Sequence, residues 1–408
     1  MQRKNNPSLK SVELFAGGGG MALGAHLAGI SPTMFLEWEK NSCATLRKNS
    51  DSFYGLSENR ILEMDVRLFD PNLIPERFDV LAGGPPCQPF SIGGKKDGHE
   101  DSRDLFPEYI RVLSSAKPKA FIIENVKGLT AKRFKDYVEY LHLQLEFIDS
   151  CPLEGRDWIS QLKILRNAKS NGSSSSYVIS SALLNAVDYG VPQSRERFFI
   201  VGIRVDQKFK WTFPLATHSY EALIYDQYVT GEYFKKHGLK KKSVPKDLEK
   251  LVVRLNQQKP NAKPHVTVRD ALIGLPVPKD GKGHPTFLNH IGIPGARSYP
   301  GHTGSYIDLP SKTLKAGVHG CPGGENMILH EDGSVRYFSV REAARMQTFP
   351  DEYEFVGSRS EAMRQIGNAV PVKLATVLLE KLKNDLIAAS KSKVQNRSRD
   401  IIQMEFAL

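Results

Sequence analysis

The chain has 408 residues, a net charge of +11, 40% hydrophobic and 25% charged residues. These figures describe a soluble globular protein of two or three domains with a sizeable core. No run of 18 apolar residues occurs, which excludes a membrane-spanning helix. The polar start Met1-Gln2-Arg3-Lys4 leads into a strand-like run and not an apolar signal region, so a cytoplasmic location is expected. Cys43, Cys87, Cys151 and Cys321 lie far apart with no C-x-x-C pair. That argues against a disulfide framework and against a zinc site, so no metal is expected. The positive charge suggests a polyanionic partner, most simply nucleic acid.

In chain order, residues 11–15 read as a buried strand, followed by a glycine run and a helix over 21–28. Strands follow at 33–37 and 61–64, with a helix over 40–48 between them. Residues 78–82 and 120–124 are further buried strands separated by an amphipathic helix near 105–113. This alternation predicts an α/β fold, a parallel sheet covered by helices on both faces. A charged amphipathic helix is predicted over 131–145, and 166–176 reads as a mobile polar surface loop. The strand pattern resumes at 177–184 and 198–203. Composition changes after Trp211, where the chain becomes rich in Pro, Gly, His and Lys. This marks a second, loop-rich domain with a few helices such as 268–272. Helices are predicted again at 340–347 and 370–385, before a polar, basic and poorly ordered tail. The boundaries are therefore 9–213, 214–339, 340–388 for a hinge and a helix returning to the first domain, and 389–408 for the tail.

The most informative stretch is Gly83-Gly84-Pro85-Pro86-Cys87-Gln88-Pro89-Phe90-Ser91. Proline fixes φ and glycine permits sharp turns, so the loop is a stiff mount at a strand end that presents one thiol. A nucleophile needs such aiming; a packing cysteine does not. The turn 15–22 contains G-x-G-x-x-A between a strand and a helix, the context a nucleotide-binding turn requires. Close helix packing explains a lone glycine turn equally well. Here Glu37 ends the next strand, where an acid binds ribose hydroxyls. Trp38 offers a stacking face, and Asp65 ends the third strand within reach of an adenine amino group. No P-loop lysine is present, which disfavours a triphosphate. Glu124 stands at the end of a buried strand. In a parallel sheet it emerges on the same edge as Cys87 and suits a general acid, although capping the next turn is an equal alternative. Arg195 and Arg197 alternate along a strand, which predicts both guanidinium groups on one face, gripping a phosphate or a base oxygen.

Six ordered motifs resemble those of the bacterial cytosine-5 DNA methyltransferases. They are residues 15–20, 83–91, Glu124-Asn125-Val126, 193–197, 341–347 and Gly367-Asn368-Ala369-Val370-Pro371. The resemblance implies an S-adenosylmethionine cofactor and a Rossmann-like methyltransferase domain. It also implies a smaller target-recognition domain, with double-stranded DNA in the cleft between the two. It implies that the target cytosine is flipped out. Cys87 then attacks carbon-6, protonated Glu124 bonds ring nitrogen 3, Arg197 holds the base carbonyl and Arg195 supports the site. Carbon-5 takes the cofactor methyl, its proton leaves, and Cys87 is expelled. Phe15, Gly17, Gly19, Glu37, Trp38, Asp65, Pro86 and Asn368 match positions lining the cofactor pocket, with Leu105 near the adenine. Ser91 and Gln193 are candidate DNA contacts. So are Lys240, Lys241 and Lys242 of the basic run, by phosphate attraction, and Thr313 and Leu314, which match a recognition-domain signature. The glycine-rich stretch 318–325 suits a DNA groove or tight turns alike.

The expected activity is sequence-specific methylation by a monomer, either in a restriction–modification system with a cognate endonuclease acting on the same site or as an orphan enzyme. The alternative is a tRNA cytosine-5 methyltransferase, against which the large basic second domain argues. A silent DNA-reading homologue is disfavoured by the presence of Cys87, Glu124 and Arg197. The recognition sequence is not encoded in any motif.

Overall fold

A computed structural model describes residues 9–74, 76–86, 104–149, 157–316 and 326–405, with side chains of the last helix to Ser392. The chain divides into two compact units. Unit 1 comprises Met1–Leu184, Glu196–Pro214 and Ala375–Leu408; unit 2 comprises Asn185–Arg195 and Leu215–Leu374. Residues 185–195 thus group with the second unit, as do 340–374, where the sequence predicts a hinge.

Unit 1 is built on one sheet of seven strands in the order β3-β2-β1-β4-β5-β7-β6. The strands are β1 (Leu9–Leu14), β2 (Ile30–Glu37), β3 (Ile61–Glu63), β4 (Val80–Gly83), β5 (Ala120–Val126), β6 (Tyr177–Asn185) and β7 (Glu196–Arg204). Strands β3 to β5 run parallel through β2 and β1, whereas β7 is antiparallel to β5. The sheet is mainly parallel, and not wholly so as the alternation suggested. Val12, Leu14, Leu81, Phe121 and Ile123 are fully buried. Strands covered on both faces need such nearly continuous apolar runs, which is why they were legible.

The helices of unit 1 are α1 (Gly20–Leu27), α2 (Lys40–Lys48), α3 (Phe106–Ala116), α4 (Lys135–Glu146) and α5 (Trp158–Ser170). Helix α5 corrects one expectation, because residues 166–170 are its last turns and not a loop. Asp157 caps it by accepting from Ile159 and Ser160 amides, and Leu162 and Leu165 are buried. Tyr140 of α4 donates to Gln161 at 2.6 Å, and Arg166 bridges Asp136 and Glu139. The polar run hid a short apolar stripe.

Unit 2 is loop-rich. It holds β8 (His218–Ser219), β9 (Lys263–Pro264), β10 (Ser305–Tyr306), β11 (Met327–Leu329) and β12 (Val335–Tyr337). Its helices are α6 (Tyr220–Ile224), α7 (Glu232–Lys236), α8 (Glu249–Gln257), α9 (Val268–Ala271), α10 (Val340–Met346) and α11 (Arg359–Asn368). Helix α12 (Val372–Glu405) begins in unit 2 and continues in unit 1. It extends well past residue 388, so the backbone expected as a poorly ordered tail is helical to Glu405. Among the described residues no helix is long and apolar enough to cross a membrane.

Candidate active site

Cys87 and Ser91 lie outside the described residues, as does the stretch 318–325. The structure does describe what holds both ends of the segment that carries Cys87. Parallel pairing sets Gly83 of β4 beside Ile123 of β5, so the loop leaves the sheet next to Glu124. Asn125 Nδ2 donates to the Pro85 carbonyl at 3.1 Å, and its Oδ1 accepts the Val126 amide at 2.8 Å. The chain returns at Leu105, whose amide donates to Pro86 O at 3.2 Å. Beneath them the buried Tyr109 hydroxyl donates to Leu81 O at 3.0 Å. A side chain at Gly84 would stand 3.1 Å from Glu124 Oε2, so glycine keeps that edge of the carboxyl clear.

Glu124 and Arg197 come together. Antiparallel β5–β7 pairing sets Val126 opposite Arg197. Arg197 Nε lies 2.7 Å from Glu124 Oε1, with both side chains nearly buried. Strand alternation sends Glu196 the other way, where it pairs with Lys127 at 2.7 Å. A carboxyl and a guanidinium held side by side present an acceptor, or a proton donor when neutral, beside a fixed donor fork. That is the pair needed to grip a ring nitrogen and an adjacent carbonyl.

The glycine turn follows β1. Phe15, Gly17 and Gly19 have φ of 53°, 54° and 87°, a left-handed path that is strained at the non-glycine Phe15. Glu37 at the end of β2 closes the turn. Its Oε2 accepts the Gly17 amide at 2.7 Å, and Oε1 accepts the Trp38 and Glu39 amides at 3.0 and 2.9 Å. Burial pushes the Glu37 carboxyl above its ordinary pKa, and the backbone hydrogen bonds oppose this. Nothing lies within 4 Å of a Cβ built on Gly17, and Trp38 beside it is 71% exposed. An open glycine cradle, an anchored carboxylate with accepting capacity left and a bare indole face fit a nucleoside. Asp65 lies just past β3. Its carboxylate caps a turn and is taken by Arg67, at 3.0 Å from Nε and 2.5 Å from Nη2. This pair holds its pKa below the ordinary value.

Residues 9–149 and 160–384 match the C-5 cytosine-specific DNA methylase family. The chain belongs to this family. It is a DNA cytosine-5 methyltransferase. The type II methyltransferase M.Sau96I of Staphylococcus aureus is 33% identical over 382 residues, covering 91% of this chain and 75% of the relative. M.NgoPII of Neisseria gonorrhoeae is 30% identical, covering 93% and 97%. In fold, the S. pombe Dnmt2 methyltransferase is similar with a TM-score of 0.54 at 19% identity, covering 93% of this chain and 99% of that one. The Entamoeba histolytica methyltransferase EhMeth gives 0.55 at 15% identity, covering 93% and 99%.

In this DNA cytosine-5 methyltransferase several expected contact residues of unit 2 are internal braces. Arg195 precedes β7 and is fully buried; Nη1 donates to Leu314 O at 3.1 Å and Nη2 to Gly367 O at 2.5 Å. It is therefore a positioning residue and does not share a face with Arg197. Gln193 is also fully buried, donating to Met346 O and accepting the Leu314 amide at 3.0 Å, so it is not a DNA reader. Leu314 is buried and reads nothing directly. Thr313 Oγ1 donates to Ser194 O at 2.7 Å. Lys242 is committed to Asp308 at 2.7 Å and Glu331 at 3.1 Å, which removes it from the phosphate candidates. Lys241 donates to Val229 O, Lys240 is exposed, and Asn368 is the exposed last residue of α11. Arg341 belongs to the motif at 341–347. It is buried and ties Leu288, Pro350 and Tyr353 carbonyls together at 3.0, 2.8 and 2.7 Å. No periodicity signals such a role.

Proposed function

We propose that this DNA cytosine-5 methyltransferase protects a short DNA sequence in a restriction–modification system, using Cys87 as nucleophile and unit 2 for recognition. The type II relatives support the setting and weaken the tRNA reading. The observation that carries the chemistry is the Arg197–Glu124 pair beside a strand-end loop tied by Asn125 and Leu105. Phe15, Gly17, Gly19, Glu37, Trp38 and Pro86 would hold S-adenosylmethionine, which supplies an electrophilic methyl group when bound. The chain's own residues do the rest. Cys87 Sγ bonds to cytosine carbon-6, and electron density moves toward carbon-5 and nitrogen 3. Glu124 delivers a proton to nitrogen 3, and Arg197 donates to the carbonyl oxygen. Once carbon-5 carries the methyl group, its proton passes to solvent, the carbon–sulfur bond breaks to return the Cys87 thiolate, and nitrogen 3 gives its proton back to Glu124. Turning the base out of the stack is what brings it within reach of these groups.

The test compares methyl transfer to duplex DNA and to bulk tRNA, and traps the enzyme on duplexes carrying 5-fluorocytosine. Wild type is expected to methylate duplex DNA and to form a covalent adduct. Cys87→Ser is expected to fold, bind cofactor and form neither product, because a hydroxyl is a far weaker nucleophile than a thiolate. An adduct in the Ser variant would refute the nucleophile, and tRNA as sole acceptor would refute the DNA substrate.

A further inference from the structure

Unit 2 gathers cations around Gly190. This residue ends the turn after β6 with φ of 80°. A Cβ built on it would stand 2.6 Å from His218 Cε1 and 2.6 Å from Lys373 Nζ, so only glycine lets ring and ammonium sit this close. Parallel pairing of β8 and β9 sets His218 opposite Lys263. The cluster is fastened by the backbone: Thr217 N donates to Asp188 O, and Lys263 N to Thr217 O, both at 2.9 Å. The Thr217 hydroxyl bonds His218 Nδ1 at 2.8 Å. One carboxylate is present, Asp188, and it faces His265 at 3.1 Å. Among the described residues neither Lys263 nor Lys373 forms an ion pair. Lys373 also sits in the first turn of α12, where the helix dipole disfavours a cation. Burial, Lys373, Lys263 and His265 together push the His218 imidazole down to about 4, and burial and Lys263 lower Lys373. The cluster is built with more positive than negative charge.

We propose that Gly190, His218, Lys263 and Lys373 form a binding site for a phosphate oxyanion, carried by inorganic phosphate or by a phosphodiester of nucleic acid. Lys263 and Lys373 supply the charge, and a bound anion raises the pH at which His218 takes up a proton. The groups that bear on its titration are Lys373 from α12, Lys263 and His265 from the β9 segment, and Asp188 from the turn.

The test is a proton NMR titration of the His218 C2–H in histidine-labelled full-length protein, assigned by its loss in His218→Asn. It is run in chloride, in inorganic phosphate at equal ionic strength, and with a short duplex. A neighbouring opposite charge raises such a midpoint by about 1–3 pH units. That rise is expected with phosphate or duplex over chloride, and its absence is expected in Lys373→Gln. A rise with phosphate alone identifies a free-anion site, and one with duplex alone identifies a backbone contact. Equal midpoints in all three solutions would overturn the proposal, whatever the variant does. So would a rise retained in a folded Lys373→Gln.

Discussion

Glu13 lies in the middle of β1 with its carboxyl buried among apolar strands, and Ser11 Oγ donates to it at 2.8 Å. Burial pushes its pKa up to about 7 from 4.5, partly opposed by Ser11. In the unfolded chain it ionises near its ordinary value. Below that, both states hold the proton and stability is indifferent to pH. Between the two values only the unfolded state loses it, so stability falls as pH rises, and above about 7 the loss is complete. A shift of this size corresponds to about 3 kcal/mol. Glu13→Gln should therefore gain stability over wild type at pH 8 and little at pH 4, as measured by urea midpoints. A gain equal at both pH values would mean that the carboxyl is not neutral in the fold. The sequence showed Glu13 as one letter inside a strand; nothing local indicates that its carboxyl is buried. The two arginines of residues 193–197 teach the same lesson. Alternation predicts a shared face only within a strand, and β7 begins at Glu196, one residue too late to include Arg195.

Among the elements, the parallel strands were legible because burial on both faces writes itself as apolar runs; Glu37 ends β2 as expected, whereas β5 runs two residues past Glu124 because its antiparallel pairing with β7 extends it. Helix α5 was not legible, because its stripe is only a few residues wide. Helix α1 meets α12 so closely that a Cβ on Gly24 would lie 2.4 Å from Ala375 Cβ. Gly24→Ala should cost about 1–3 kcal/mol by overpacking, read as a lowered denaturant midpoint. An unchanged midpoint would mean the helices separate freely. Near α7, the lysine run divides by role. Asp308 is buried and accepts from Lys242, from Arg269 at 2.6 Å and from Tyr233 at 2.9 Å. Lys242→Ala should destabilise unit 2 by about 1–3 kcal/mol by removing a partner of a buried charge. Lys240→Ala should leave stability alone and lower the salt slope of DNA binding by about one. Filter binding over a salt series, with thermal melting of each variant, separates the two. A salt effect from Lys242 without destabilisation would restore it as a phosphate contact.

At the scale of the whole molecule, the long segment of unit 2 begins at Leu215, close to the composition break after Trp211. The short segment Asn185–Arg195 was invisible because its membership is decided by Gln193 and Arg195, which reach Leu314 across more than a hundred residues of sequence. These ties fix how specificity should be exchanged. Replacing residues 220–304 with those of a relative of different specificity, while keeping 305–316, should move methylation to that relative's site, as mapped by bisulfite sequencing. An active chimaera that still modifies the original sequence would place recognition elsewhere. The chain order has one more consequence. Lys383 of α12 donates to Ala28 O at the end of α1, a contact spanning 355 positions. A ribosome adding about 5–20 residues per second takes roughly 20–70 s to span that interval. Throughout it the nascent α1 waits without its cover, a stretch in which chaperones have work to do. The unit that holds Glu124 and Arg197 is completed only once α12 has been made.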